Sequence, residues 1–128
     1  MAKQYNLGTL LNRVCDYANS RVNVAVTQNY TTVAKYGNYT SQQTATDLWT
    51  PGTGKKFVLT DISVSTATAG TITLLDEAAI IREYKLAANG GAVENLKSVI
   101  MSAAANQDLK VTTSGALDCF IVVSGYEV

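Results

Sequence analysis

The fold is decided around residues 55–66, which read KKFVLTDISVST. Phe57 and Leu59 share one face of an extended chain, and Ile62 and Val64 continue the alternation one residue out of step. Side chains of a β-strand point alternately to two faces, so this pattern is typical of a strand that buries one of them. It predicts a long strand and leaves room for a change of register within it.

Further short strands flank this segment, separated by turn residues. On the N-terminal side, residues 48–50 lead into a turn at 51–54; on the C-terminal side, strands are predicted over 71–75, 79–86, 92–101, 109–113 and 117–128. In the turn at 88–91, the pair Asn89-Gly90 favours a positive φ. Seven or eight short strands without a βαβ rhythm predict an all-β fold, a jelly-roll-like β-sandwich.

Before residue 46 the pattern changes. Six apolar residues form one stripe of a helix predicted over residues 5–18: Leu7, Leu10, Leu11, Val14, Cys15 and Ala18. Residues 22–26 then alternate as in a strand, and residues 28–47 are rich in Thr, Asn, Gln, Ser and Tyr, which is typical of an extended arm or of polar edge strands. We expect an N-terminal helix and arm over 1–45 and a β-sandwich domain over 46–128.

Charge is scarce and unevenly placed in this chain of 128 residues, a length that predicts one domain. Charged residues make up 16% of the sequence against roughly 25% in typical soluble domains, so part of the surface is expected to pack against other chains. Residues 1–45 hold four Lys or Arg and one Asp, whereas residues 46–128 hold six and nine. This asymmetry favours contact between one copy's basic segment and another's acidic body, although so small an excess also arises by chance.

The composition argues against several partners and chemistries. A formal net charge of zero disfavours nucleic acid, and the lack of an apolar run of about 18 residues predicts no membrane span. No signal peptide is recognisable, which predicts synthesis in the cytoplasm. The chain has no histidine, so Ser-His-Asp and Cys-His catalysis are excluded. Cys15 and Cys119 lack metal-binding spacing and are expected to be small buried hydrophobes. We therefore predict no catalytic residue, metal or cofactor.

The residues most suited to contact a partner lie in the first third of the chain. Tyrosine is favoured at interfaces because it offers a large contact area at little entropic cost. Packing in the protein's own core and stacking on a ligand are the alternatives for the same residues. The predicted partner-binding set combines the tyrosines with the helical stripe: Tyr5, Leu7, Leu10, Leu11, Val14, Tyr17, Tyr30, Tyr36 and Tyr39.

From Leu48 to Val128 the sequence resembles a module of virion proteins from tailed bacteriophages. The motifs that carry the resemblance are Leu48-Trp49-Thr50-Pro51, Gly54-Lys55-Lys56-Phe57-Val58, Gly70-Thr71-Ile72-Thr73-Leu74, Leu86-Ala87-Ala88-Asn89-Gly90-Gly91, Leu109-Lys110-Val111-Thr112-Thr113 and Val122-Val123-Ser124-Gly125-Tyr126-Glu127-Val128. The resemblance implies a jelly-roll-like sandwich used in capsid decoration, head fibres or tail fibres, commonly as a homotrimer without an active site. It does not cover residues 1–45.

The function that this resemblance implies is structural. We expect a capsid decoration or head-fibre protein in the virion, self-associating and docking on the major capsid protein or another virion protein through the arm at 1–45. The alternative is a tail-fibre or receptor-binding module in which the turns at 51–56 and 88–91 recognise a host surface glycan. A small lyase or isomerase on the same fold is disfavoured by the missing histidine.

Overall fold

The computed structural model describes residues 30–128, and these residues form eight β-strands. The strands are β1 Val33–Tyr39, β2 Thr46–Trp49, β3 Phe57–Thr66, β4 Gly70–Asp76, β5 Ala79–Leu86, β6 Gly90–Met101, β7 Leu109–Thr113 and β8 Cys119–Glu127. All eight belong to one structural unit, Thr31–Val128. No helix occurs within the described part of the chain. The predicted all-β class is confirmed.

The strands form two antiparallel sheets of four. The first sheet has the order β1-β8-β3-β6, and the second has the order β2-β7-β4-β5. Apart from the β4–β5 pair, every pair of consecutive strands lies in different sheets, so the chain crosses between the layers at every connection of the eight strands except the β4–β5 hairpin. This connectivity is that of a jelly roll, which confirms the predicted sandwich.

The core lies between the two sheets and is built from alternate residues of the strands. Its fully buried large side chains are Trp49, Phe57, Leu59, Ile62, Ile72, Leu74, Leu109 and Ile121. Burying a side chain of this size contributes about 1.5–3 kcal/mol, and both sheets supply members. The stability of the sandwich therefore depends on the packing of the two inner faces against each other.

The predicted change of register in β3 is present. Its pairing with β6 and with β8 shifts between Leu59 and Asp61, and the hydroxyl of Thr60 donates to the Ser124 carbonyl at 3.2 Å. Such an irregularity bends a strand and increases its twist. On β8, Gly125 lies opposite Leu59, where a Cβ atom would overlap the carbonyl oxygen of Val58.

The sandwich extends further toward the N-terminus than residue 46. All seven residues of β1, Val33–Tyr39, pair with β8, and Val33 lies opposite Gly125. Val33–Tyr39 is therefore an edge strand, one of the two alternatives predicted for residues 28–47. Counting β1, the described residues have eight strands, the upper number of the prediction. The predicted helix over 5–18 and the valine strand over 22–26 lie outside the described residues.

Hydrogen bonds between loops stabilise both ends of the sandwich. At one end, the Ala67 amide donates to the Asp118 carbonyl at 2.8 Å, and the Asn89 amide donates to the Ala67 carbonyl at 3.3 Å. Asn89 has a φ of 57°, as its turn sequence predicts. At the other end, Lys56 and Val128 exchange two backbone hydrogen bonds of 2.7 and 3.0 Å. Each end is thus held by contacts between segments far apart in sequence.

The close approach at Gly125 predicts a selective loss of stability. We expect Gly125→Ala to lower the free energy of unfolding by about 1–3 kcal/mol, because the new methyl group must displace the backbone of β3. Gly115→Ala is the matched control, since a Cβ there meets nothing within 4 Å, and its effect should stay within about 0.5 kcal/mol. Urea unfolding followed by tryptophan fluorescence measures both. Equal stabilities of the two variants would contradict the packing described for β3 and β8.

Candidate interaction surface

The outer face of the first sheet, which points away from the core, carries its residues in rows across the four strands. The strand register places one row as Asn38, Phe120, Ser65 and Gly91, and the next as Tyr36, Val122, Ser63 and Val93. We call these the Phe120 row and the Tyr36 row. Their neighbours along β8, Cys119 and Ile121, are buried in the core. The outer face therefore combines small serines with apolar and aromatic side chains.

Two aromatic rings dominate this face. Tyr36 is 73% exposed and Phe120 is 43% exposed, and their ring centroids lie 6.1 Å apart at an angle of 37°. This distance is within the range of favourable aromatic pairs. Neither ring is covered within the described part of the chain, although each would release apolar area from water on contact with a partner. Exposed apolar area of this kind is typical of interaction sites.

The structure separates the nine predicted partner-binding residues into three groups. Six lie outside the described residues: Tyr5, Leu7, Leu10, Leu11, Val14 and Tyr17. Tyr30 and Tyr36 are exposed, which fits a role in contact with a partner. Tyr39 instead packs against the edge of the core, and burial, followed by the nearby Cys119, raises the pKa of its hydroxyl. Of the three tyrosines in the predicted set that the structure describes, Tyr39 matches the core-packing alternative.

Phe120 was missed as a surface residue because of its place in a continuous apolar run. Residues 119–123 are all apolar, and such a run does not indicate which residues face inward. Cys119 is buried as predicted, which places Phe120 on the opposite face of β8. The two valines of this strand, Val122 and Val123, are adjacent, so the run offered no alternation from which the outward position of Phe120 could be predicted.

The four edge strands differ in how well they are protected from pairing with another chain. β2 has four residues, and β1 places the exposed Lys35 opposite the buried Val123, in the inward register. Short edges and inward-directed charges both discourage strand addition. β6 has twelve residues, exposes Val93, Val99 and Met101 by 76%, 48% and 51%, and pairs only with β3 in the described part of the chain. β6 is the longest of the four edge strands, and it carries these exposed apolar side chains together with the charged Glu94 and Lys97.

A cleft of about 390 Å³ opens at the end of the outer face where the Phe120 row lies. Its lining comes from the ends of β1, β3 and β8 and from the turn before β6: Asn38, Ser65, Thr66, Ala67, Asn89, Gly90, Asp118, Cys119 and Phe120. The loops at this end are those that the Ala67, Asn89 and Asp118 backbone hydrogen bonds join. The predicted glycan-binding turn at 88–91 therefore contributes to the cleft, whereas the turn at 51–56 does not.

The charged groups of the sandwich form structural contacts. Lys110 lies 2.8 Å from Asp47 and within 4.0 Å of Glu77 and Asp108, and the hydrogen bond with Asp47 is the main cause of its raised pKa.

Burial, with a smaller effect from Asp118, raises the pKa of the Cys119 thiol, which disfavours the reactive thiolate. In the described residues no group of three or more potential ligands is arranged to hold a metal ion. No helix there is long and apolar enough to cross a membrane.

A second polar group lies between the edge strands β5 and β6. Arg82 pairs with Glu94 at 3.3 Å, both side chains being about one third exposed. The nearby Tyr84 hydroxyl is buried without a hydrogen bond to any described residue, since the Glu94 carboxylate lies near it without reaching hydrogen-bond geometry. Burial and then Glu94 raise the pKa of Tyr84. The arrangement joins the two sheets and offers no nucleophile.

A carboxylate contact connects β8 to the turn after β2. The Trp49 indole N–H donates to Glu127 at 3.0 Å, and the Gly52 amide donates to the other oxygen of the same carboxylate at 3.2 Å. The hydrogen bond from Trp49, then the hydrogen bond from Gly52 and the positive charges of the nearby Lys55 and Lys35, hold the pKa of Glu127 below its usual range. The ionised carboxylate therefore stabilises the fold at neutral pH.

Comparison with known proteins identifies the fold. No protein-family model and no curated protein matches the sequence. A chain in the acid-stable capsid structure of the Helicobacter pylori bacteriophage KHP30 is similar over 77% of this chain and 94% of its own, with 10% identity and a TM-score of 0.54. The coat protein of Tobacco streak virus matches more weakly, over 79% of this chain and 88% of its own, with 11% identity and a TM-score of 0.39.

The KHP30 match shows which fold the structure shares with a known protein. At 10% identity it shows a common fold, and the strand order described above has the two-sheet connectivity that viral capsid jelly rolls share. The described residues thus form an eight-stranded jelly-roll β-sandwich, a fold found in viral capsid and lectin domains.

The lowered pKa of Glu127 predicts a specific dependence on pH. A group whose pKa is lowered in the folded state stabilises the fold above its unfolded pKa, about 4.3, and this contribution is lost as the pH falls through the folded pKa. Wild type should therefore be more stable than Glu127→Gln at pH 7, and the difference should vanish in acid. Urea unfolding at a series of pH values measures it.

Glu83→Gln is the control for that experiment, because Glu83 is an exposed carboxylate whose pairing with Lys85 spans 3.6 Å. Surface pairs of this kind contribute little, so its stability should follow wild type at every pH. A stability difference between Glu127→Gln and wild type that persists unchanged into acid would contradict the assignment.

Proposed function

We propose that this protein is a virion structural protein of the capsid decoration or head-fibre type. The observation that carries the proposal is the jelly roll itself, whose likeness to a chain of a bacteriophage capsid structure covers 94% of that chain. The sequence motifs from Leu48 onward support the same class. In this role the protein is no enzyme and uses no cofactor, and its affinity comes from apolar contacts and backbone hydrogen bonds. It would be made in the host cytoplasm and act in the virion.

Self-association, as a homotrimer, is the first part of the proposed role. A closed trimer joins one surface of each copy to a different surface of the next. The long edge of β6 suits one side of such a contact, because it offers a strand of twelve residues together with the exposed Val93, Val99 and Met101. Pairing there removes the exposed apolar edge that an isolated copy would present.

Docking on the particle is the second part, and we assign it to the N-terminal segment. Residues 1–29 hold three Lys or Arg and one Asp, whereas residues 30–128 hold seven Lys or Arg and nine Asp or Glu. The described sandwich has a core among residues 49–123, which supports folding without the helical stripe predicted over 5–18 as part of this proposal. That stripe is then available to pack on the major capsid protein or another virion protein.

A second candidate function is recognition of a host surface glycan by a tail-fibre or receptor-binding module. One observation favours it, the cleft beside Phe120, which includes Asn89 and Gly90 of the turn at 88–91. The two roles differ in copy number, since a decoration protein covers a lattice whereas a fibre tip is present in few copies.

Self-association through β6 predicts the effect of added charge. Wild type should have the mass of a trimer by light scattering, and Val93→Lys combined with Val99→Lys should shift it to a monomer, because lysines on an edge strand oppose strand addition. Ile80→Lys is the control: Ile80 is 63% exposed on β5 of the second sheet, and the trimer should persist. A monomeric wild type would contradict self-association, and a trimeric double variant would place the interface elsewhere.

Docking through the N-terminal segment predicts the behaviour of a shortened chain. Deletion of residues 1–20 should leave a folded sandwich, whose circular dichroism spectrum loses only the contribution of the helix predicted over 5–18, and little binding to capsids stripped of accessory proteins. Co-sedimentation followed by quantitative gel analysis measures the copies bound per particle. Wild type bound in hundreds of copies supports decoration, whereas wild type that ignores the shell overturns it and leaves the fibre role. Loss of folded protein on deletion would instead place the segment in the core.

A further inference from the structure

We propose that the cleft beside Phe120 is a binding site for a neutral saccharide. The inference deepens the second candidate function, since it names the site and the class of ligand, and it does not depend on docking to a capsid. Its basis, within residues 30–128, is the combination of an open aromatic ring, polar side chains that make no hydrogen bond to these residues, a fixed rim and a lining without Lys or Arg.

The shape of the cleft follows from small residues beside a large one. In the Phe120 row, the ring stands next to Ser65 on β3, and Gly90 begins β6 at the same end of the sheet. A Cβ on Gly90 would lie 2.8 Å from the Ala87 carbonyl oxygen, so the turn itself requires glycine there. The resulting space of about 390 Å³ is within the size range of small-molecule sites.

Polar side chains around this space have hydrogen-bonding capacity that the protein does not use. Asn38, Ser65, Asn89 and Asp118 all line the cleft, and within the described part of the chain none of their side chains makes a hydrogen bond or an ion pair. Together they present donors and acceptors in a small volume. A ligand rich in hydroxyl groups, each both donor and acceptor, matches this set better than an apolar one.

Aromatic surface supplies the second element of recognition. The Phe120 ring is 43% exposed at the cleft, and Tyr36 extends the aromatic surface along the sheet at 6.1 Å between centroids. The face of an aromatic ring carries partial negative charge, which attracts the C–H groups on the apolar face of a sugar ring. Stacking on Phe120 with hydrogen bonds to the amides is therefore a coherent binding mode.

The charge of the cleft lining favours neutral saccharides over anionic ones. Among the described residues of the lining, Asp118 is the one carboxylate and none is a Lys or Arg. A phosphate, sialic acid or uronic acid bound here would face a like charge without a compensating cation. A neutral hexose or N-acetylhexosamine unit meets no such repulsion, and its hydroxyl groups can donate to the Asp118 carboxylate.

The rim is held in place before any ligand arrives. The Ala67–Asp118 and Asn89–Ala67 backbone hydrogen bonds join three loops that line the cleft. Asn89 is fixed in the left-handed region with a φ of 57°. Binding would then require little ordering of the loops, which lowers the entropic cost that weak ligands must overcome.

The test uses the full chain, isotope-labelled for NMR, titrated with a fixed panel of probes. The neutral probes are maltohexaose, cellohexaose, mannohexaose and chitohexaose, and the anionic probe is a sialic acid trimer. We expect at least one neutral probe to bind with a Kd on the order of 1 mM or tighter, shifting the amide signals of Asn38, Asn89 and Phe120. The anionic probe should cause no shift at these residues.

Two variants and a control determine whether binding occurs in the cleft. Phe120→Ala, and independently Asn38→Ala, should weaken binding by about tenfold, the equivalent of roughly 1.4 kcal/mol. Both side chains are surface-exposed, so the fold should persist. Ile80→Ala, an exposed apolar residue of the second sheet, should bind as wild type does.

Several results would overturn the inference. They are no binding of any neutral probe, signal changes away from the cleft, unchanged affinity in Phe120→Ala, or a shift in oligomer mass in Phe120→Ala that identifies the face as a contact between copies. Failure here with capsid binding intact removes the saccharide site alone. Saccharide binding without capsid binding removes decoration and leaves the receptor-binding role.

Discussion

The pairing of β3 with β8 is the constraint on which the rest of the structure depends. β8 lies between β1 and β3 in the first sheet, so without it β1 has no partner and the sheet loses its centre. The paired strands, Phe57–Thr66 and Cys119–Glu127, are separated by four other strands along the chain. Closing so long a loop has an entropic cost that local contacts do not offset. The core therefore forms as one cooperative unit, to which both sheets contribute buried side chains.

Most of the fold could be predicted because alternation is visible wherever a strand buries only one face. The bounds of β5 and β7 match their predicted ranges of 79–86 and 109–113, and the register change in β3 was evident between Leu59 and Ile62. β1 could not be assigned, because its polar residues are typical both of an arm and of an edge strand. Only the pairing with β8, a contact between distant segments, distinguishes the two interpretations.

The candidate sites were less predictable than the strands, for a related reason. Tyrosine content indicates contact area but not direction, and Tyr36 and Tyr39, three residues apart on one strand, have opposite surroundings. The cleft is built from residues distant in sequence that the strand register brings together, such as Asn38 and Phe120. One contributor, the turn at 88–91, carried a sequence signal of its own. The aromatic ring and the small neighbours beside it did not.

The antiparallel pairing of β1 with β8 also has a mechanical consequence. Because Val33 lies opposite Gly125, the chain enters β1 at the same end of the sheet at which it leaves β8. Tension applied between the start of β1 and the end of β8 separates the two strands one hydrogen bond at a time. Tension applied between the entry to β1 and the far end of the body loads every bond of the pair in shear. A fold held at the entry to β1 and at that far end would thus carry tension in its stronger direction.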